Sequence, residues 1–323
     1  MLAAPLPAYT LPMISRHFGA LRAALTLVPV AVLAPYLRAQ ETPWQKETDA
    51  WRIQHSAELR KPDGWLSLTA LEWLDPGDTS VGSAPDNKIH LPPGGPDHVG
   101  VLHLEGASVT LNPPPGGFPG DLLIDGQPAH AQQLHTDPDG DKHNPRITIA
   151  SLNFYVVNRG DRYALRIKDA NSDALTHFHP LDWYPLDESY RITARWIPYR
   201  PQKTVILARL VGSSYQEPVP GVAEFIFHGK TYQLEPVLED PAVAKLFFIL
   251  RDTTSSTTTY GACRFLYTGF ADHGLDQPGE LVLDFNRLEN PPCAYTPYST
   301  CPLPPPQNRL PIALPVGERR YHP

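Results

Sequence analysis

Six residues near the C-terminal end have types and spacing that could do chemistry: Asp252, Tyr260, Arg264, Asp284, Asn286 and Asn290. An arginine fork, a phenol and one or two carboxylates on one sheet face would grip a carboxylate, a phosphate or a sugar in a concave site. Side chains alternate faces along a strand. Tyr260, Ala262, Arg264 and Leu266 therefore share a face, with Cys263, Phe265 and Tyr267 on the other. Val282, Asp284 and Asn286 share a face of the following strand. If these strands pair as a hairpin, Arg264 meets Asp284, and Asp252 joins them from the exit of the preceding strand. Register is not readable from sequence, so this meeting is conditional. The competing reading is a structural ion network that holds the following loop to the sheet, and the residues alone lean slightly towards it. Acid–base chemistry by Asp284 with Tyr260 is a further use of the patch.

Other chemical signals are weaker. There is no GxSxG, no HExxH and no glycine-rich phosphate loop. Cys293 and Cys301 bracket the short loop AYTPYST and are the disulfide candidates among three cysteines, which leaves Cys263 free and buried in a strand. Zinc on that pair is disfavoured by the spacing and by the lack of neighbouring CxxC or histidine ligands. A thiol enzyme built on Cys293 is disfavoured by oxidation with Cys301. His177 and His179 lie two apart and would share a face on a strand, but no third metal ligand is adjacent. HTDPDGDKH alternates Asp137, Asp139 and Asp141 around Gly140, as in a calcium loop. Lys142 stands where such a loop needs glycine and Thr148 where it needs the closing glutamate, so a solvated hairpin turn is expected. No metal or other cofactor is expected.

The elements that must position these residues are mostly strands. The chain has 323 residues, 41% hydrophobic, with 38 prolines clustered between apolar runs. That pattern predicts an all-β protein with many loops. Residues 1–39 read as a signal peptide, with Met13 as an alternative start: Arg16 and Arg22 precede the apolar run Ala23 to Ala34, and Ala39 precedes Gln40. The run is too short and too proline-broken for a good membrane span. Cleavage would remove three arginines and take the net charge from −7 to −10. Such a balance argues against nucleic acid or anionic membrane as a partner. An exported protein, periplasmic or extracellular, also permits a disulfide.

Residues 40–64 form a helix and linker: Pro43 to Leu59 is amphipathic, Thr42 is its cap, and Trp44 and Trp51 lie two turns apart on one face. The tryptophans 44, 51, 65 and 73 are read as packing residues rather than a sugar platform. Residues 65–145 read as a small β-sandwich. Residues 146–323 read as a larger antiparallel sheet or barrel, with hairpins turning at Asn158 to Asp161 and at His228 to Lys230. It is closed by the clamp Asp284 to Pro311, DFNRLENPPCAYTPYSTCPLPPPQNRLP, whose prolines can continue neither a ladder nor a helix. The clamp is either a rigid cover over a sheet edge, held by side chain to backbone hydrogen bonds, or the rim of a site.

The clamp, with the run from Phe247 through DTTSSTTTYGACRFL, resembles the bacterial family catalogued as domain of unknown function number sixteen eighty-four, and a weaker likeness reaches back to Trp65. That resemblance carries no activity with it. VGSAPDNKIHLP, VGVLHLEGASVTLNP and LLIDGQPA are similar in order to a forkhead-associated β-sandwich, but Ser83 stands in place of the phosphate-contacting arginine, so phosphopeptide binding is not implied. The leading expectation is an exported protein that binds a small polar or anionic ligand at Tyr260, Arg264, Asp284 and Asn286 under the clamp. The alternatives are a metal-independent hydrolase or lyase using the same patch, and a purely structural envelope protein.

Overall fold

The computed structural model describes residues 41–92, 94–136, 143–239 and 243–321. The expected leader and the acidic turn at 137–142 lie outside the described residues. Thr42 opens the helix Pro43–Leu59 with a capping box: its hydroxyl accepts from the Gln45 amide at 3.2 Å, and the Gln45 side chain accepts from the Thr42 amide at 2.7 Å. Pro43 costs nothing there, because the first helical N–H has no intrahelical partner.

The next strands build a two-sheet sandwich. One sheet is antiparallel in the order Leu68–Trp73, Arg162–Asp169, Leu152–Arg159, Ile147–Ile149, Leu123–Ile124, Gln127–Pro128. The other runs Ile89–His90, Gly77–Gly82, Gly100–Glu105, Ser108–Asn112, Gln132–Leu134. Alternation decides what meets between them: Leu102 and Leu104 from one sheet and Phe154, Leu165 and Ile167 from the other form one core. The hairpin Leu152–Arg159 with Arg162–Asp169, expected to open the second β region, instead pairs with Leu68–Trp73 and enlarges this first sheet. Its apolar pattern suits either sheet, and only long-range pairing assigns it.

The remaining strands form an open antiparallel sheet, Lys230–Leu234, Ser214–Phe227, Arg191–Ala208, Gly279–Asp284, and a two-stranded ladder, Leu246–Leu250 with Arg264–Thr268. No barrel closes. The hairpin at His228-Gly229 is tight, with φ of 48° and 73°, the left-handed pair that a two-residue turn requires. Trp196, Phe225, Phe248 and Phe285 are the large members of the core beneath the sheet.

The clamp ties these pieces together through its backbone. Glu289 and Phe265 exchange amide hydrogen bonds of 3.0 Å, Leu303 donates to Ala208 at 2.8 Å, and Leu310 donates to Arg251 at 2.7 Å. Asn308, fully buried, donates to the carbonyls of Glu235 and Ile249 and accepts from the Glu235 amide. Asn286 does the same with Asp187, accepting from its amide and donating to its carbonyl. These bonds satisfy donors and acceptors that the prolines cannot.

Candidate functional site

Arg264 and Asp284 do not meet. The strand bearing Arg264 pairs with Leu246–Leu250, and the strand bearing Asp284 pairs with Arg191–Ala208, opposite Arg191. Arg264 is fully buried. It reaches Asp252 at 3.1 Å and donates to the carbonyls of Leu314 at 2.9 Å, Val316, and Glu318 at 3.4 Å. Asp252 accepts in turn from the amides of Thr254 and Leu314 and from the Thr254 hydroxyl. The expected partnership of Asp252 with Arg264 therefore exists as a buried network that pins the C-terminal segment.

Asp284 turns elsewhere. It accepts from the Trp44 indole at 2.6 Å and from the Asn286 amide and side chain, near Arg191 and Arg287. It lines a cavity of about 320 Å³ with Trp44, Trp51, Arg287, Tyr267 and Glu289. Tyr260 donates to the Cys293 carbonyl at 2.9 Å, and burial pushes its phenol up. His177 ends the short helix Asp173–Thr176 with an exposed ring, and His179 follows in irregular chain, so the pair does not share a strand face.

Cys293 and Cys301 lie together as free thiols, with the Cys293 amide donating to Cys301 Sγ at 3.2 Å. A hydrogen bond with Cys263, then burial, pushes the Cys293 thiol up to about 12, and burial raises Cys301 further. Neither is a thiolate nucleophile near neutrality.

A larger feature lies along the clamp. A groove of about 1000 Å³ has Asn290, Tyr295 and Thr300 of the clamp on one side and the sandwich sheet on the other. That wall follows from alternation. Leu165 and Ile167 point into the sandwich core, so Arg166 and Lys168 take the opposite face. Arg146 stacks at 3.6 Å over Tyr155, and the Arg166 and Lys168 head groups lie 5.5 and 5.6 Å from the Trp65 ring. Arg159 completes the basic face and donates to the Thr300 hydroxyl at 3.0 Å. Burial, the largest effect on Lys168, holds its pKa below the usual value. Glu217 and Glu239 also line the groove.

At the floor sits a cluster the sequence did not disclose. His55, from the helix, lies between two carboxylates: Nδ1 is 3.3 Å from Glu289 and Nε2 is 3.4 Å from Glu318. Glu318 is buried and accepts from the Asn290 amide at 2.9 Å and from the Tyr295 hydroxyl. Trp51 stacks on the imidazole with ring centres 5.6 Å apart, and Trp183 meets it edge-on at 5.9 Å. Burial pushes the Glu289 carboxyl up to about 7, opposed by the charge of His55 and reinforced by Glu318. For His55, burial works against the charged ring, but Glu318 and Glu289 outweigh it and hold its pKa above the ordinary value. Of the sequence candidates, only Asn290 borders both this cluster and the groove. The missed residues are His55, Glu289 and Glu318; His55 lies more than two hundred positions before the other two, and Glu289, though inside the clamp, has no spacing to the others that marks it. The one available signal was the alternation of Arg166 and Lys168.

Two outcomes follow. Arg264→Ala should lower stability by about 3–5 kcal/mol, because it strands Asp252 as a buried charge; chemical denaturation measures this, and a loss below about 1 kcal/mol would refute the network. The folded protein also keeps protons on Glu289 and His55 to higher pH than the unfolded chain does. Stability from this pair is therefore greatest at low pH and falls as pH rises from the carboxyl's ordinary 4.5 through about 7 and past the ordinary range of His55. For Glu289 alone the loss is up to about 3 kcal/mol. Glu289→Gln should flatten that limb of the stability–pH curve, and parallel curves for the two proteins would count against it.

The family match covers the C-terminal part of the chain. No curated protein matches it. A solution NMR structure of an uncharacterised protein from gene locus rrnAC0354 of Haloarcula marismortui is similar over 45% of this chain and 78% of its own, at 27% identity and a TM-score of 0.38. The family match begins at residue 176, so it does not reach back to Trp65, and the forkhead-associated likeness of residues 65–145 lies outside it. Residues 176–319 match the family described as Protein of unknown function (DUF1684), the family that the stretch Asp284 to Pro311 resembles.

Proposed function

We propose that this is an exported protein that binds a small anionic ligand in the groove beneath the clamp. The observation that carries this reading is the basic face of Arg146, Arg159, Arg166 and Lys168 on the groove wall of a chain with net charge −7. A basic wall attracts anions that approach the groove. Arg146 is held 3.6 Å over the Tyr155 ring and Lys168 5.6 Å from the Trp65 ring, and a guanidinium fork beside an ammonium suits a carboxylate or phosphate. The ligand site thus moves from the Arg264 patch, which is used up internally, to the other side of the clamp.

The reading is tested by thermal melting with inorganic phosphate, pyrophosphate and citrate. At least one should raise the melting temperature in a saturable way, and the rise should shrink with added sodium chloride. Lys168→Met should weaken binding of that anion by about tenfold while leaving the unliganded fold intact, the loss of one charged hydrogen bond. Three anions without effect would sink the proposal.

Export and the clamp disulfide belong to the same reading. They are supported by the charged and apolar pattern of residues 1–39 and by the closeness of Cys293 to Cys301. In the oxidised protein the bridge would close a short loop already held in place and leave Cys263 as the one thiol. Intact-mass measurement on protein from its native compartment, with iodoacetamide labelling, is expected to give a chain beginning at Gln40 with one alkylated cysteine. A full-length chain would remove the export reading, and three alkylated cysteines would remove the bridge.

A further inference from the structure

The groove and the smaller cavity are lined in common by Glu289 and Tyr267, so Glu289 stands where the two spaces adjoin. Its position is determined from several directions. Its backbone is locked to Phe265 by two hydrogen bonds, its carboxyl faces His55, and its side chain keeps 17% of its surface exposed. His55 is wedged by Trp51 and Trp183 and backed by Glu318, which is only 1% exposed and is itself held by Asn290 and Tyr295. The order is an accessible carboxyl, an imidazole that orients it, and a buried carboxylate that orients the imidazole. This is the arrangement a proton-transfer centre needs: one group at the open space and the others fixing its geometry and balancing its charge.

We infer that Glu289 is the general acid–base residue of the groove, with His55 and Glu318 as its positioning residues, and that the bound anion is a substrate. The inference rests on the ligand reading above. The substrate class is a small organic carboxylate or phosphate ester, with its charged end on the basic wall and its reacting atom at Glu289. The step is a proton transfer. The O–H bond of the Glu289 carboxyl breaks, its electron pair stays on the carboxylate, and the proton bonds to the basic atom of the substrate. The charge left on Glu289 faces the His55 ring, 3.3 Å away. The groups facing Glu289 are His55 from the helix, Glu318 from the C-terminal segment, Lys245 ahead of its strand and Tyr267 from the neighbouring strand. A carboxyl pushed by burial up to about 7 is populated in both forms at neutral pH, as reversible donation requires.

A diazoacetamide reagent tests this on the wild-type protein. Such reagents esterify only protonated carboxyl groups: the acid proton moves to the diazo carbon, dinitrogen leaves, and the carboxylate oxygen bonds to that carbon. At pH 7, peptide mapping should find Glu289 labelled in preference to ordinary surface carboxylates by on the order of a hundredfold, the ratio of their protonated fractions. Saturating pyrophosphate should protect it. In His55→Gln the labelling of Glu289 should persist to higher pH, because the opposing charge is gone; a purely structural ion pair would leave an inaccessible carboxyl with no labelling in either protein. Glu289 unlabelled while pyrophosphate still stabilises the protein overturns this inference alone. Glu289 labelled with neither protection nor stabilisation by pyrophosphate overturns the ligand reading and, with it, the assignment of a substrate to this carboxyl.

Discussion

The structure depends on the buried contact between Arg264 and Asp252. A guanidinium taken wholly out of water needs compensation for its lost hydration, and here its two terminal nitrogens hold one carboxylate and the carbonyls of Leu314, Val316 and Glu318, while Nε makes no hydrogen bond. Each acceptor lies on the segment that follows the clamp or on the loop that precedes the strand. The network therefore fastens the end of the chain onto the two-stranded ladder. Because Glu318 is on that segment, the same contact delivers the carboxylate that orients His55.

The groove is a product of three separate pieces of chain. The N-terminal helix brings His55, the sandwich sheet brings the basic face, and the clamp brings Asn290, Tyr295 and Glu289. Proline and asparagine divide the work in the clamp. The prolines stiffen it without asking for hydrogen-bond partners, and Asn286 and Asn308 anchor it to loops and strands through amides that both donate and accept. A rigid rim of this kind keeps a half-open groove from collapsing onto its charged wall.

Two charge patterns share the groove, and their separation gives it polarity. The basic side chains lie over aromatic rings of the sandwich, while the carboxylates of Glu289 and Glu318 are collected around one imidazole. A like-charge carboxylate pair that close is costly, and the imidazole between them, with the protonation of Glu289, offsets it. The basic wall and the carboxyl of Glu289 thus border the same groove.

The amino-acid sequence by itself determined the local features of this protein. The capped helix Pro43–Leu59, the turn at His228-Gly229, the β character of the chain, the closing role of the clamp and the likeness of Asp284 to Pro311 to the family matched there are all written in short windows. Capping, turn chemistry and alternation act over a few residues, so a few residues disclose them. The meeting of Arg264 with Asp284 was not readable, because strand order is decided by which apolar faces find each other across the chain. The hairpin at residues 152–169 joined the first sheet for the same reason. The cluster of His55, Glu289 and Glu318 was beyond any window: its members are brought together only when helix, ladder and C-terminal segment pack, and burial, the largest cause, raises the pKa of Glu289.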